Sequence, residues 1–393
     1  MRRFNPRKVK TSLRLDRLVR TVTPVLRRLA PPRKPRANVN RILVYEAWML
    51  GDFVMATAAL RLLREAFPEA RIDCICPQAF AGMEAFFPYV DRLIPFRAPW
   101  HYSESPTWRH LKHTLELARR LRREDYDWAF DLRGDIRDIV FLYFTGARRR
   151  AAFDLTGGRS LLTHPVHYES DRYRHQAEGN NLVVLRALGD ERPPTVSVPQ
   201  IRVPDSERRY ASRWIAERGL SVFAGVQISA SSVTKAWPTE NWARVLNRRV
   251  LPRMPVVLFG AEHDEFTPLL DQLTDRSRVF VNRDPLPRFI ALVAEATIFL
   301  GLDSFAAHVA GAVGTPVISV HGPVHPDLSR PYGARGEAIC LEDVPCRTCH
   351  GNRCTQERNF CILDLPVHRV EDALDRLEFA SQPRAASGQS YGL

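Results

Sequence analysis

Two common phosphate-binding signatures are missing from this 393-residue sequence. No predicted strand leads into a helix through the G-x-G-x-x-G turn of dinucleotide-binding proteins, which argues against a dehydrogenase. The Walker A lysine loop is missing as well. Any phosphate group that this chain binds must therefore be bound by a different motif.

Long apolar runs are also scarce. The longest apolar region, residues 289–320, is interrupted by Glu295, Asp303, His308 and Pro316. It is therefore a poor candidate for a membrane span, which needs about 20 mostly apolar residues. The first residues are basic and have no uninterrupted apolar stretch behind them, so we expect no signal peptide. These features predict a protein of the reducing cytoplasm, where disulfides are uncommon.

Acidic residues are nearly absent from residues 1–36, which hold 13 Lys and Arg but one acid, Asp16. The rest of the chain carries 44 basic and 43 acidic residues. The high pI therefore belongs to this leader and does not indicate a nucleic-acid partner.

The leader is patterned as an amphipathic helix, with arginines mostly opposite the apolar positions. The apolar positions are Leu15, Leu18, Val19, Val22, Leu26 and Leu29. We expect Pro24 to kink or interrupt this helix. Residues 1–36 are predicted to bind an anionic membrane surface, and a disordered arm is the alternative.

Strand-like and helix-like segments alternate along the rest of the chain, which predicts an α/β fold with parallel sheets. The alternation restarts near residue 200, so we predict two Rossmann-like doubly wound domains that face each other across a cleft. The predicted units are residues 1–37, a leader and linker; 38–200, the N-terminal domain; 201–380, the C-terminal domain; and 381–393, a tail. Residues 154–200 are less regular, and their pattern alone assigns them no role.

Three polar turns follow predicted strands of the C-terminal domain, and a doubly wound fold brings such turns to one rim. The hydroxyls and ammonium of the first turn suit a diphosphate; they belong to Ser229, Ser231, Ser232 and Lys235. Acidic residues in 262–265 suit ribose hydroxyls. Asp303 and Ser304 precede a predicted helix whose first N–H groups suit an anion. Together the turns predict a nucleotide-sugar pocket, while helix capping and ordinary loop polarity are the alternatives.

One carboxylate of the N-terminal domain is a candidate general base. Asp52 follows Gly51 where a helix is predicted to begin after the first strand, so its side chain could face the cleft and accept a proton from an acceptor hydroxyl. The alternative is an aspartate that only stabilises the helix dipole. His308, five residues after Asp303, is expected either to contact the ligand or to pack in the core.

Six short motifs, in this order, resemble those of the heptosyltransferase family of lipopolysaccharide core synthesis, glycosyltransferase family 9. They are Gly51-Asp52, Lys235–Pro238, Phe259–Asp264, Asp303-Ser304 with His308, Gly314–Pro316 and His321–Pro323. The resemblance implies a GT-B fold and inverting, metal-independent transfer from a nucleotide-activated sugar, typically ADP-heptose. The implied acceptor is a lipid-linked saccharide at the inner face of the cytoplasmic membrane. A protein glycosyltransferase, a nucleotide-sugar epimerase and a non-catalytic binding homologue remain alternatives.

The resemblance also implies roles for single residues. Asp52 would be the base, Lys235 and the serines Ser229 to Ser232 would contact the diphosphate, and Asp264, or else Glu262, would bind the ribose. Asp303 would hold the sugar and Ser304 the phosphate, with His308 near both. The family usually has glycine where this chain has Phe305, so we expect a phenyl group to crowd the phosphate site or redirect the donor.

Five of the seven cysteines lie between residues 340 and 361. Four of them follow a C-x2-C-x4-C-x6-C spacing: Cys346, Cys349, Cys354 and Cys361. This compact set is typical of a structural zinc or iron site. Free thiols are the alternative, and both outrank disulfides in a reducing compartment.

Overall fold

The structure, a computed structural model, describes residues 6–29, 31–101, 107–168, 175–230, 232–347, 349 and 354–377. The first half contains α1 (Pro6–Leu29), β1 (Arg41–Tyr45), α2 (Leu50–Ala66), β2 (Arg71–Cys76), β3 (Arg92–Pro95), α3 (Trp108–Arg123), β4 (Trp128–Asp131), α4 (Ile136–Phe144), β5 (Arg149–Phe153), β6 (His164–Val166) and α5 (Gln176–Ala187).

The second half contains α6 (Asp205–Ala216), β7 (Ala224–Gln227), α7 (Thr239–Val245), β8 (Val256–Phe259), α8 (Thr267–Leu270), β9 (Val279–Asn282), α9 (Leu286–Glu295), β10 (Ile298–Leu302), α10 (Phe305–Ala312), β11 (Val317–His321), α11 (Pro326–Ser329), β12 (Gly336–Cys340), α12 (Phe360–Leu363) and α13 (Val367–Arg376). A π-helical segment, Leu246–Val250, extends α7.

Each half builds one six-stranded parallel sheet with the same topology. The strand orders are β3-β2-β1-β4-β5-β6 and β9-β8-β7-β10-β11-β12. In both sheets the order reverses at the first strand, between β1 and β4 and between β7 and β10, and ligands of doubly wound folds bind beyond such a reversal. The predicted pair of facing Rossmann-like domains is confirmed.

The central strands are buried because helices cover both faces of each sheet. The four residues of β1 after Arg41 and all five residues of β10 are buried. The two halves also share one apolar cluster, which runs from Phe53 and Phe80 in the first domain to Phe259 and Phe299 in the second. The first domain therefore docks on the second through a continuous apolar contact, in which α2 packs against α10.

The connection between the domains is hydrogen bonded to both of them. The hydroxyl of Ser197 donates to the carbonyl of Ala58 in α2 at 2.9 Å. The N–H of Ile201 donates to the carbonyl of Ala312 at the end of α10 at 3.0 Å. The predicted boundary at residue 200 falls inside this connecting segment.

Helix α1 continues through Pro24, so the interruption, one of the two effects expected of this proline, is wrong. Contacts with the first domain hold the helix around the proline: Thr23 Oγ1 lies 3.1 Å from Ser160 Oγ, and Asp16 accepts a hydrogen bond from the Gly158 N–H at 2.7 Å. A β-carbon at Gly157 would stand 2.5 Å from that of Asp16, so glycine is needed for this close approach. Val19 is buried in the same contact.

The less regular stretch 154–200 contains the short strand β6 and the 12-residue helix α5. Helix α5 escaped sequence reasoning because it is buried on nearly all sides, which removes the amphipathic period. Within the described ranges, no helix has both the length and the apolarity to cross a bilayer. The predicted tail, residues 381–393, lies outside the described residues.

Candidate functional site

A cavity of about 840 Å³ opens between the two sheets and is lined by the loops that follow their strands. The first domain contributes Asp52 and Gln176, and the second contributes Lys235, Asp264 and the start of α10. The predicted base and the predicted donor residues therefore line one space. Ser231 lies outside the described residues.

Asp52 stands in the first turn of α2, at the cleft. Its Oδ1 accepts a hydrogen bond from the side-chain amide of Gln176, at the start of α5. Within the described residues, Asp52 is the one carboxylate that the first domain presents to the cavity. Gly51 allows the second domain to come close, since a β-carbon there would lie 2.9 Å from Cδ2 of His308.

The buried Asp303 and the half-buried Lys235 form an ion pair on the opposite side of the cavity. Lys235 Nζ lies 2.7 Å from Asp303 Oδ2 and donates to the Asp303 carbonyl at 3.0 Å. Burial by itself would raise the pKa of Asp303, but the charges of Lys235 and then His321 outweigh it and hold that pKa at about 2. Ser329 donates to the other carboxylate oxygen at 3.1 Å. Asp303 is thus an ionised group in a fixed orientation.

Ser304 is the N-cap residue of α10, as the sequence suggested, but its hydroxyl does not cap the helix. It donates instead to Gln227 Oε1, at the end of β7, at 3.0 Å. In the described part of the chain no side chain accepts from the first N–H groups of α10. That helix end therefore offers unpaired donors and its positive dipole to an anion in the cavity.

His308 lies one turn into α10 and is buried at the contact with α2. Burial lowers its pKa, against the opposing charges of Asp303 and Asp52, so the ring is neutral at physiological pH. Its Nδ1 is buried with no hydrogen-bond partner among the described residues. The ring packs between the domains and also lines the cavity, so its contact with a ligand stays a prediction.

The serine-rich turn and the acidic turn meet at Asp264. Its Oδ2 accepts hydrogen bonds from the Ala261 N–H at 2.7 Å and from the Ser229 hydroxyl at 2.9 Å. Ser232 caps the helical turn that carries Lys235, accepting from the Thr234 N–H at 3.3 Å. Asp264 lines the cavity, whereas Glu262 does not contribute to its wall.

The sequence profile of Glycosyltransferase family 9 (heptosyltransferase) matches residues 114–359, which is more than half of the chain. The chain belongs to glycosyltransferase family 9. Lipopolysaccharide heptosyltransferase 2 of Escherichia coli K12 is 24% identical to it over 316 residues, covering 77% of this chain and 88% of the relative.

Solved structures show that the fold is shared. The E. coli ADP-heptose lipopolysaccharide heptosyltransferase II superposes with a TM-score of 0.68 at 21% identity, covering 86% of this chain and 98% of the other. A family 9 glycosyltransferase from Veillonella parvula DSM 2008 superposes with a TM-score of 0.70 at 22% identity, covering 86% and 97%. The two facing sheets are therefore the GT-B arrangement that the resemblance implied.

Phe305, the first residue of α10, bridges the domains. Its ring centroid lies 6.0 Å from that of Phe80 in the first domain and 6.2 Å from that of Phe289 in the second. Phe80 in turn contacts Phe53, and Phe289 contacts Phe259, so the five rings form a row that runs from Phe53 to Phe259. The ring also lines the cavity. Its effect on a bound phosphate stays a prediction.

Several cavity residues escaped sequence reasoning. Asp284 follows β9 and accepts hydrogen bonds from Tyr210 Oη and Asn282 Nδ2, both at 2.7 Å. Its strand is short and was not recognised, so the polar turn behind it had no place in the predicted sheet. Gln227 and Gln176 were missed because a glutamine carries no motif of its own. Trp48 and Arg133 also line the first-domain side, with the guanidinium 3.7 Å from the indole centroid.

The four spaced cysteines of this family 9 chain line one small cavity of about 10 Å³, and no disulfide joins any of them in the described part of the chain. Burial, and then the neighbouring Cys349, raise the pKa of Cys361 to about 11. Within the described residues, no three His, Cys, Asp or Glu side chains lie close enough together to hold one metal ion. Residues 348 and 350–353 of the same segment fall outside that description. Cys349 also belongs to the wall of the large cavity.

Proposed function

We propose that this chain transfers a heptose from ADP-heptose to a lipid-linked saccharide of the lipopolysaccharide core. The observation that carries the proposal is the position of Asp52 across one cavity from the Lys235–Asp303 pair and the start of α10. Family membership supports sugar transfer, and the E. coli protein with the same fold is an ADP-heptose heptosyltransferase.

In this proposal the second domain binds the donor. The diphosphate lies at the start of α10, where backbone N–H groups and Lys235 oppose its charge, and the Ser229 and Ser232 hydroxyls complete its surroundings. Lys235 donates one N–H to the Asp303 carbonyl and lies 2.7 Å from its carboxylate, which leaves another N–H to point toward a phosphate oxygen. The ribose lies beside Asp264 and Asp284, whose carboxylates accept hydrogen bonds from paired hydroxyls. Asp303 holds a sugar hydroxyl.

The first domain performs the proton transfer. Asp52 accepts the proton of the acceptor hydroxyl while that oxygen attacks the anomeric carbon, and the bond from that carbon to the diphosphate breaks. Because base and diphosphate occupy opposite walls, the new bond forms on the face away from the leaving group, which inverts the configuration. Lys235 and the α10 dipole stabilise the charge on the departing diphosphate, so no catalytic metal ion is needed in this scheme.

A thermal-shift panel tests the donor site. A ligand present at 100 times its dissociation constant should add about 2.7 kcal/mol to the free energy of unfolding. We expect ADP and ADP-heptose to raise the melting temperature of the wild-type protein more than GDP, UDP and their sugars. Lys235→Ala should abolish this shift, whereas Asp52→Asn should keep it. If no nucleotide raised the melting temperature of the wild type, the proposed donor site would be wrong.

Helix α1 is proposed to hold the enzyme on the inner face of the cytoplasmic membrane, where its acceptor lies. One face of α1 packs on the first domain, but Leu15, Leu18 and Val25 stay exposed. At about 100° per residue these three lie on one stripe, and Arg14 and Arg28 border it. An apolar stripe with cations along one edge suits the surface of an anionic bilayer.

The cysteine cluster is proposed to bind one structural zinc or iron ion. Four thiolates are a donor set that either metal accepts. The four cysteines line one small cavity but lie too far apart, among the described residues, to share an ion, so binding would draw their side chains together. The residues that would hold the ion are Cys346, Cys349, Cys354 and Cys361. Because Cys349 also borders the donor cavity, such an ion would fix part of that cavity's wall and take no part in the transfer.

A further inference from the structure

The first turn of α5 joins three features of the cleft that sequence reasoning left apart. Gln176 donates its side-chain N–H to Asp52. On either side of it, His175 and Glu178 reach the second domain: His175 Nε2 donates to the Arg330 carbonyl at 2.8 Å, and Tyr332 Oη donates to Glu178 Oε1 at 2.9 Å. One helical turn thus contacts both the candidate base and the opposite domain.

The hydrogen bonds of His175 fix the direction of this turn. Its Nδ1 accepts from the Ala177 N–H at 3.1 Å and so caps α5, which leaves Nε2 as the donor to Arg330. The ring also packs on Tyr332, with centroids 4.5 Å apart and planes at 30°. His175 is buried and its single tautomer suits both bonds. These contacts tie the start of α5 to segment 330–332 of the second domain.

We propose that Gln176 is a positioning residue for Asp52 and that it reaches its position through the cross-domain contacts of His175 and Glu178. An amide N–H can direct a carboxylate but cannot replace it as a base, so Gln176 acts through Asp52. When the domains separate, the start of α5 loses Arg330 and Tyr332, and the orientation of Asp52 loosens with it. Asp52 is therefore oriented for proton transfer while the domains are closed. This inference rests on the proposed function of Asp52.

The test compares wild type, Gln176→Leu, Asp52→Asn and the double variant in transfer from ADP-heptose to a heptose-free core lipopolysaccharide, with ADP affinity measured by calorimetry. We expect Gln176→Leu to lower kcat on the order of tenfold to a hundredfold, as displacement of a catalytic group by about 1 Å does. ADP affinity should stay within twofold.

The double variant separates positioning from a general structural role. If Gln176 acts through Asp52, Gln176→Leu should cost nothing further in the Asp52→Asn background. Gln272→Leu, which removes an amide on the outer surface of the second domain, is the matched control and should keep wild-type kcat. Tyr332→Phe keeps the ring contact but loses the bond to Glu178, and we expect it to lower kcat two- to tenfold.

The outcomes distinguish this inference from the proposed function. Full kcat in Gln176→Leu, or equal losses in both backgrounds, would overturn the inference while an inactive Asp52→Asn leaves the proposed base in place. Wild-type kcat in Tyr332→Phe would overturn the link to domain closure. Wild-type kcat in Asp52→Asn would overturn the proposed base and the inference together.

Discussion

Single residues decide how closely the two domains approach at the base. Gly51 is the clearest case, because its missing side chain makes room for the His308 ring, 2.9 Å from where a β-carbon would stand. The motif Gly51-Asp52 can be recognised from the sequence, but this reason for the glycine cannot, since it depends on a residue more than 250 positions away.

We predict that Gly51→Ala lowers kcat more than tenfold while the chain stays folded. Alanine favours a helix by about 1 kcal/mol over glycine, so α2 itself should not suffer. The added methyl group would instead push His308 and Asp52 apart. Circular dichroism would confirm the fold, and steady-state transfer assays would measure kcat. Unchanged kcat in this variant would contradict the close approach.

Buried histidines should make the protein sensitive to mild acid. Burial lowers the pKa of His321 to about 4, whereas an unfolded histidine titrates near 6.5. The unfolded chain therefore binds more protons between these values, and stability must fall as the pH drops from about 6.5 to 4. Asp303 affects stability at lower pH, since the stabilising charge of its carboxylate is lost only below about pH 4.

We predict that His321→Gln reduces the loss of unfolding free energy between pH 7 and pH 4.5 by about 2 to 3 kcal/mol, at about 1.4 kcal/mol per unit of pKa shift. Urea unfolding at the two pH values measures this loss. The variant should be less stable than wild type at pH 7, because the 2.9 Å contact between His321 and Ser319 is altered, yet less dependent on pH. An identical pH dependence in both proteins would contradict a neutral, buried His321.

At the scale of elements, the sequence predicted the regular α/β alternation well and the buried or packed exceptions poorly. Helix α3, Trp108–Arg123, is easy to recognise from the sequence because its apolar face and basic face are separate. Helix α5 was missed because burial on all sides erases that contrast. The sequence also predicted the amphipathic helix α1. It did not show that the apolar positions divide into two groups, with Val19 packed on the first domain and Leu18 exposed.

We predict that replacing Leu15 and Leu18 with serine weakens binding to vesicles that contain phosphatidylglycerol by at least tenfold, because each leucine contributes up to about 2 kcal/mol when it leaves water. Leu13→Ser is the matched control, since Leu13 is also exposed but lies about 140° around the helix from Leu18. Cosedimentation measures binding. Equal binding by all three proteins would exclude the stripe as the contact.

We predict one zinc or iron ion per chain in protein purified under reducing conditions, with loss of the ion in Cys354→Ser. Metal analysis by mass spectrometry measures the stoichiometry, and Cys74→Ala is the control because Cys74 is buried in β2, away from the cluster. Thermal unfolding should shift downward on chelation. If Cys354→Ser held as much metal as wild type, the cluster would not be the metal site and its cysteines would be free thiols.

At the scale of the whole molecule, the two domains share one apolar cluster and one row of phenylalanines. The sequence revealed the duplicated fold and the position of the cleft, because those follow from alternation and strand ends. It did not reveal that Phe305 also packs between the domains, since only the folded chain shows this ring between Phe80 and Phe289. The residue expected to crowd the ligand also joins the domains.

We predict that wild-type protein unfolds in one cooperative transition and that Phe305→Ala lowers the free energy of unfolding by about 1 to 3 kcal/mol, as expected for a partly buried aromatic ring. With the domains less tightly coupled, scanning calorimetry should show a broader transition or two resolved ones. A transition of unchanged shape and midpoint would show that the aromatic row does not couple the domains.

The most direct test is single-turnover transfer of heptose from ADP-heptose to a heptose-free core lipopolysaccharide by wild type and by Asp52→Asn. The donor concentration would be far above the dissociation constant of both proteins. We expect equal donor affinity and a transfer rate on the order of 10² to 10⁴ times lower in Asp52→Asn, the usual contribution of a general base. Transfer at the wild-type rate by Asp52→Asn would contradict the central claim that this carboxylate acts across the cleft.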